Sequence, residues 1–343
     1  MRRSRTRTPF GTSRKEVRAP WARPLMPDNP IAPSLTSIEA AARLIAPVLL
    51  PTPLLRARAD GLGELRLKPE NLQRTGSFKI RGAYHKLTRS LADAKDRGVV
   101  AYSSGNHGQA VACAAALLGC RATIVMPEGG VVEKRRGVES YGGKVVLCAG
   151  GSDERRRIAE ELSERHGLVL VPPYDDLDII AGQASVGLEI AREFPDVEQV
   201  LVPVGGGGLL GGSALALKAL LPHVRVVGVE PEGANDLFLS FARGEHVSLA
   251  TIDTASDGLR TQSVGNLNYA ILRQVVDEVV TVAEEEIMAA VRSLLWREKL
   301  VVEPSGAVAY AAFMSHKVSR DVPSAAVLSG GNIALDYLRQ VIA

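Results

Sequence analysis

The chain has 343 residues, 46% of them hydrophobic, with 33 glycines and only 4% aromatic residues. That balance suits an α/β enzyme with glycine-lined loops better than a β-sandwich or a protein that stacks nucleic-acid bases. The net charge of +3 comes from the first 25 residues, where Arg2, Arg3, Arg5, Arg7, Arg14, Lys15, Arg18 and Arg23 face Glu16 alone. The remainder is acidic overall and has no concentrated basic stretch, so no nucleic-acid partner is expected.

The length suggests about two domains, at roughly 100–200 residues each. Residues 1–26 show no hydrophobic periodicity and read as a disordered basic tail, or as an upstream extension ahead of a natural start at Met26. They lack the apolar run of about 7–15 residues that a secretory signal needs. Nowhere does an apolar run reach the roughly 18 residues of a membrane span, so no membrane partner is expected.

Residues 75–83 read TGSFKIRGA. Gly76 and Ser77 are expected to form the turn and N-cap of a helix, with Lys79 in its first turn. A cation there opposes the helix dipole, so Lys79 is either an indifferent surface residue or an amine wanted at that place.

From about residue 98, strand-like and helix-like segments alternate. VVAYS (99–103), ATIVMP (122–127), KVVLC (144–148), LVLVPP (168–173), VLVPVG (200–205), RVVGVEP (225–231), EVVTV (278–282) and AAVLSGGN (325–332) are each apolar. Amphipathic or small-residue helices are expected between them. This βαβα pattern predicts parallel sheet covered by helices, with strands buried on both faces.

Three strands end in glycine-rich turns: SSGNHG (103–108), VGGGGLLGG (204–212) and LSGGN (328–332). Ligands in open α/β sheets bind beyond the carboxyl ends of strands, so three such turns suggest one shared site. The run Gly205 to Gly208 exposes several backbone N–H groups at a helix start, a natural cradle for phosphate. The run is no Walker A, because no Lys-Ser/Thr pair follows. It matches GxGxxG only loosely, so a small phosphorylated cofactor fits better than a dinucleotide.

Taken together, the words KPENLQRTGSFKIRGA (68–83), SSGNHGQA (103–110), IAGQASVGLEI (180–190), PVGGGGLLGG (203–212), EPSGA (303–307) and LSGGN resemble the fold-type II pyridoxal-phosphate (PLP) enzymes. Within these they resemble the threonine/serine dehydratase and serine racemase group. The resemblance covers about residue 36 to the C-terminus. It implies an α/β fold of two open, twisted, mostly parallel sheets flanked by helices, as in the tryptophan synthase β-like enzymes. It also implies a large cofactor domain over 27–96 and 171–343, a small mobile domain over 97–170, and a homodimer.

Carried over by position, the resemblance implies that Lys79 forms the Schiff base with PLP while Phe78 packs beside the ring. Asn106 would bond the phenolic oxygen, Gly205, Gly206, Gly207, Gly208 and Leu209 would wrap the phosphate, and Ser329 would face the pyridine nitrogen. The loop Ser103, Ser104, Gly105, Asn106 and His107 would take the carboxylate of a small amino-acid substrate. A Schiff-base lysine must be deprotonated to attack, and a helix N-terminus disfavours its ammonium form. Ser329, not being a carboxylate, would leave the ring nitrogen unprotonated and favour elimination over a long-lived carbanion.

The implied reaction is β-elimination from L-threonine or L-serine to a 2-oxo acid and ammonia. Serine racemisation, or action on hydroxyaspartate or another hydroxy amino acid, is the alternative, with Lys79 and Ser104 on opposite faces. EPSGA leans toward the racemase-like members and PPYDD (172–176) toward the dehydratases. A regulatory C-terminal domain is not expected, because the chain ends soon after Asn332. The resemblance further implies a divalent cation, Mg²⁺, Ca²⁺ or Mn²⁺, held by Glu230, the Ala234 carbonyl and Asp236, a hard-oxygen set suited to those ions.

Other groups read as structural. Lys134, Arg135 and Arg136 are expected on a solvated helix face, His107 as a loop shaper, and Trp296 in the core or at a subunit contact. Cys113, Cys120 and Cys148 form no CxxC, which fits free thiols in a reducing cytoplasm better than structural zinc.

Overall fold

A computed structural model describes residues 32–58 and 63–343; the expected tail over 1–26 lies outside the described residues. Ten strands occur in it: β1 (Leu55–Arg56), β2 (Leu65–Pro69), β3 (Val99–Tyr102), β4 (Ala122–Pro127), β5 (Lys144–Cys148), β6 (Val169–Leu170), β7 (Gln199–Pro203), β8 (Arg225–Pro231), β9 (Glu278–Val282) and β10 (Ser324–Leu328). They form a six-stranded sheet, ordered β1-β2-β10-β7-β8-β9, and a four-stranded sheet, ordered β5-β4-β3-β6. Every pairing is parallel except the edge pair of β1 with β2. The fold class expected from the sequence is therefore the one observed.

The central strands β7 and β10 are buried at every position. Their Val, Leu and Ala side chains feed two cores, one on each face of the larger sheet. Fully burying one such Val or Leu side chain contributes about 1.5–3 kcal/mol. The helix Pro304–Met314 (PSGAVAYAAFM) is apolar on all sides, and its first ten residues are all buried. A helix with no polar face needs cover all round, and here it joins the core shared with the helix Glu284–Ser293. A third core lies against the smaller sheet, built largely from the small residues of the helix Asn106–Leu118.

Two local expectations are corrected, and two strands are added to those read from the sequence. Ser77 caps nothing: Phe78 occupies the cap position of the helix Lys79–Arg89, and the Ser77 hydroxyl is buried without a partner. The run expected over 168–173 pairs only through β6, because Pro172 and Pro173 have no N–H to extend the ladder. Strands β1 and β2 precede the alternation read from the sequence; β2 lies parallel to β10 at the edge of the larger sheet's centre.

The helix that starts at Lys79 is anchored by Arg81, which is 1% exposed. Its guanidinium bonds both oxygens of Glu70 at 2.7 and 2.8 Å and both oxygens of Glu189 at 2.6 and 2.8 Å. The Thr52 hydroxyl donates to the same Glu70 carboxylate at 2.8 Å. A planar fork satisfied on two sides fixes the rotation of the helix, and with it the direction of Lys79.

Candidate active site

Three loops leave the carboxyl ends of β3, β7 and β10 and line one cleft. Of the residues singled out in the sequence, Phe78, Lys79, Ser103, Ser104, Asn106, His107, Gly205, Gly206, Gly207, Gly208, Leu209 and Ser329 all face it. Gly105 packs against the Lys134 stem and does not line the cleft.

Lys79 donates from Nζ to the Pro173 carbonyl at 2.8 Å, with the Phe78 ring 5.0 Å away. Burial pushes its pKa down to about 8, because no carboxylate is near enough to offset the loss of solvation. The amine sits close to the boundary between charged and nucleophilic forms at neutral pH.

Opposite stands the glycine run at the start of the helix Gly208–Leu220. Gly205 and Gly207 have φ of +56° and +90°, the left-handed region that favours glycine. A Cβ on Gly206 would lie 2.1 Å from the Tyr174 ring. The loop is held from outside: Asn268 Nδ2 donates to the Gly206 carbonyl at 2.8 Å, and the Gly265 N–H donates to it at 3.1 Å. With that carbonyl engaged, the first N–H groups of the helix are left for an anion.

In the loop after β3, the Ser103 hydroxyl accepts from the N–H groups of Gly105 and Gly108, both at 2.9 Å. It shapes the turn, while Ser104 presents its side chain to the cleft. His107 is buried and bonds the Val171 carbonyl through Nε2 at 2.9 Å. Burial, reinforced by the nearby Lys79 charge, pushes its pKa down to about 3, so it is neutral at any ordinary pH. This agrees with a loop shaper. Asn106 donates to Glu303 and accepts from Asn332 Nδ2 at 2.9 Å. Ser329 donates to the Ser305 carbonyl at 3.4 Å.

Four cleft residues have no role assigned from the sequence, although Tyr174 lies in PPYDD and Ser305 in EPSGA. Tyr174, Arg155, Asp257 and Ser305 reach the cleft from separate loops and helices. Arg155 has no carboxylate partner among the described residues; it bonds only the Gly150 carbonyl at 3.3 Å, and its Nε is buried without a partner. Burial lowers its pKa. One expectation is overturned nearby: Lys134 is not on a solvated face but 2% exposed, paired with Asp257 and Glu303. Arg136 of the same run is exposed, as is Trp296, which therefore does not belong to the core.

Glu230 and Asp236 lie away from the cleft, at the end of β8. Both are buried, as is Ala234. Glu230 accepts from the N–H groups of Leu237 and Phe238 at 3.1 and 2.8 Å, and Asp236 accepts from that of Val264 at 2.7 Å. Burial raises both pKa values, Asp236 to about 7, and the Asp236 charge raises Glu230 further. No cluster of three or more His, Cys, Asp or Glu side chains able to hold a metal occurs among the described residues.

A cleft that sets one desolvated amine against a glycine-rich helix start is built for a carbonyl cofactor that carries an anionic group. Comparison with known proteins gives the class its name: residues 45–330 match the family of pyridoxal-phosphate dependent enzymes, and the chain belongs to it. The catabolic L-threonine dehydratase TdcB of Escherichia coli (strain K12) is 43% identical over 283 residues, covering 81% of this chain and 86% of that protein. TdcB of Staphylococcus aureus (strain USA300) is 39% identical over 317 residues, covering 90% and 92%. Among solved structures, maize serine racemase superposes with a TM-score of 0.86 at 35% identity, covering 91% of this chain and 97% of that one. The processed form of threonine deaminase isoform 2 from Solanum lycopersicum superposes at 0.82 with 35% identity, covering 95% and 97%.

Proposed function

We propose that the protein is an ammonia-lyase that converts L-threonine or L-serine to the 2-oxo acid and ammonia. The observation that carries this is the pairing of Lys79, its amine poised near neutrality, with the Gly205–Gly208 helix start across one cleft. Relatives of two kinds, dehydratase and deaminase, support the same reaction.

The residues fit pyridoxal phosphate. Lys79 would hold its aldehyde, and Phe78 would lie beside its ring. The N–H groups of Gly205, Gly206, Gly208 and Leu209 would take the phosphate, while Gly207, whose N–H donates to the Val204 carbonyl at 3.1 Å, would shape the turn; Asn106 would take the phenolic oxygen and Ser329 the ring nitrogen. When bound, the cofactor supplies an electron sink that eases loss of the α-proton and departure of the β-hydroxyl. Lys79 would be the base that accepts that proton on its own face. The N–H groups opening the helix Asn106–Leu118, with the Ser104 hydroxyl, orient the substrate carboxylate. His107, neutral and tied to Val171, holds the loop and exchanges no proton. The segment 97–170 would act as the small mobile domain and exclude water by moving over the cleft.

A second reading, an acidic β-hydroxy amino acid such as 3-hydroxyaspartate as substrate, is favoured by Arg155. A half-buried guanidinium without a carboxylate partner among the described residues is poised to pair with a second carboxylate on the ligand. Racemisation would need Ser104 to return a proton on the face opposite Lys79. The test is one incubation series: L-Thr, L-Ser and threo-3-hydroxyaspartate, with 2-oxo acid and D-amino acid both measured. Turnover of L-Thr or L-Ser supports the lyase, turnover of the acidic substrate alone supports the second reading, and D-product without 2-oxo acid sinks both.

The cation is also a proposal. Two buried carboxylates with no basic partner among the described residues call for a proton or a metal between them, and Glu230, the Ala234 carbonyl and Asp236 would serve Mg²⁺, Ca²⁺ or Mn²⁺. A homodimer is supported by the exposed Trp296, Leu72 and Val301; Asn71, the chain neighbour of Leu72, bonds the Val301 carbonyl at 3.1 Å. A cytoplasmic setting is supported by the three free thiols.

A further inference from the structure

Lys134 stands on the helix Val132–Ser140, between β4 and β5 of the smaller sheet. Its Nζ bonds Asp257 at 2.6 Å and Glu303 at 2.9 Å. Both acids belong to segments packed with the larger sheet: Asp257 in the turn Asp257–Leu259, Glu303 at the cap of the helix Pro304–Met314. Lys134 and Glu303 are 2% and 1% exposed, so this ion pair joins the two sheets in a place water does not reach. Burial works against the ammonium, but Glu303 and Asp257 outweigh it and hold the pKa above its ordinary value.

Two further contacts tie this pair to the cleft. The other oxygen of Glu303 accepts from Asn106 Nδ2, and Asn106 Oδ1 accepts from Asn332 Nδ2 at 2.9 Å, so the Asn106 amide is held at both ends. The Lys134 stem also runs over the loop after β3: a Cβ on Gly105 would lie 2.2 Å from Lys134 Cδ. One side chain thus presses on the Ser103–His107 loop and, through Glu303, orients the asparagine in it.

We propose that Lys134 is a positioning residue that locks the smaller sheet against the larger one and sets the Asn106 amide in the cleft, coupling closure to the chemistry. This rests on the cofactor reading above for the role of Asn106, but not for the lock itself. Without Lys134, Glu303 is left as an uncompensated buried carboxylate. It must then take up a proton, which weakens its bond from Asn106, or turn toward water, which breaks it.

The test compares wild type, Lys134→Met and Lys134→Met/Glu303→Gln as purified with pyridoxal phosphate. The first readouts are kcat and KM for L-threonine and the visible absorbance of the bound cofactor. The last is hydrogen exchange over residues 97–170. Lys134→Met should keep its cofactor, because Lys79 and the glycine run are untouched. It should lose about tenfold or more in kcat with a smaller change in KM, shift the cofactor band, and exchange faster over 97–170. The double variant, with no bare carboxylate, should recover thermal stability yet keep the altered band and the low kcat. Wild-type kcat and band in Lys134→Met overturn the proposal, as do both in the double variant should the single one not fold. A wild type that takes up no cofactor sinks the lyase reading instead, and the exchange measurement then still decides whether Lys134 is a lock.

Discussion

Lys79 Nζ donates to the Pro173 carbonyl at 2.8 Å, linking the first turn of a helix to a loop 94 residues further on. The bond parks the amine on the cleft wall, where burial rather than a neighbouring charge brings its pKa down to about 8.

Capture of pyridoxal phosphate by the cofactor-free protein should follow from this. The free amine attacks, so the uptake rate should rise with pH and level off above about 8, instead of climbing toward the 10.5 of an ordinary lysine. Stopped-flow absorbance across a pH series measures it, and a midpoint near 10 would contradict the assignment. Lys79→Ala should abolish turnover at every pH.

His107 makes the acid limb of stability testable. The unfolded chain takes up the imidazole proton below about 6.5, whereas the folded protein resists until about 3. The unfolded state therefore binds more protons in that window, and His107 costs stability progressively as pH falls through it. His107→Gln, which retains a donor for Val171, should flatten part of this loss in urea titrations between pH 4 and pH 7, on the order of the window just given. An unchanged difference between the two proteins across those pH values would show that the ring titrates normally.

Arg81 should be worth more to folding than any surface ion pair. Arg81→Met strands Glu70, which is fully buried, and leaves Glu189 without its fork. A loss of about 3–5 kcal/mol in urea unfolding is expected. A loss near the ~0–1 kcal/mol of exposed pairs would mean that water reaches the site.

Chelation tests the carboxylates at the end of β8. If a cation bridges Glu230 and Asp236, excess EDTA should lower the melting temperature, and Mg²⁺, Ca²⁺ or Mn²⁺ should restore it. Asp236→Asn should melt at the same temperature with and without chelator. Wild type indifferent to EDTA would leave the pair as carboxylates that share a proton.

The motif residues were legible because each motif is local. Glycine turns, a helix start and a strand end are properties of a few consecutive residues; the three strand-end turns pointed to one site, and the family resemblance added Lys79, Asn106 and Ser329, which the structure brings to the same cleft. The smaller errors were local too. Ser77 had the chemistry of a cap but lies in extended backbone before it, and the two prolines cut short a run that looked like a full strand.

What stayed hidden depended on distant partners. Lys134, in a run of three basic residues, looked like part of a solvated face, and only the approach of Asp257 and of Glu303, 169 residues away, makes its burial affordable. Arg155 stands in the run Arg155, Arg156 and Arg157, and only the fold distinguishes it from its neighbours by bringing it to the cleft.

Apolar periodicity and glycine placement by themselves determined the α/β architecture, and the resemblance of the ordered short motifs to those of a known family pointed to the family to which this protein belongs. Those features act over a turn of helix or a single strand, so they survive in one dimension. Tertiary structure alone decided which charges are buried, which pair across the two sheets and which face the ligand. Desolvation and Coulomb energy depend on distances between segments far apart in the chain, and those exist only once the chain has folded.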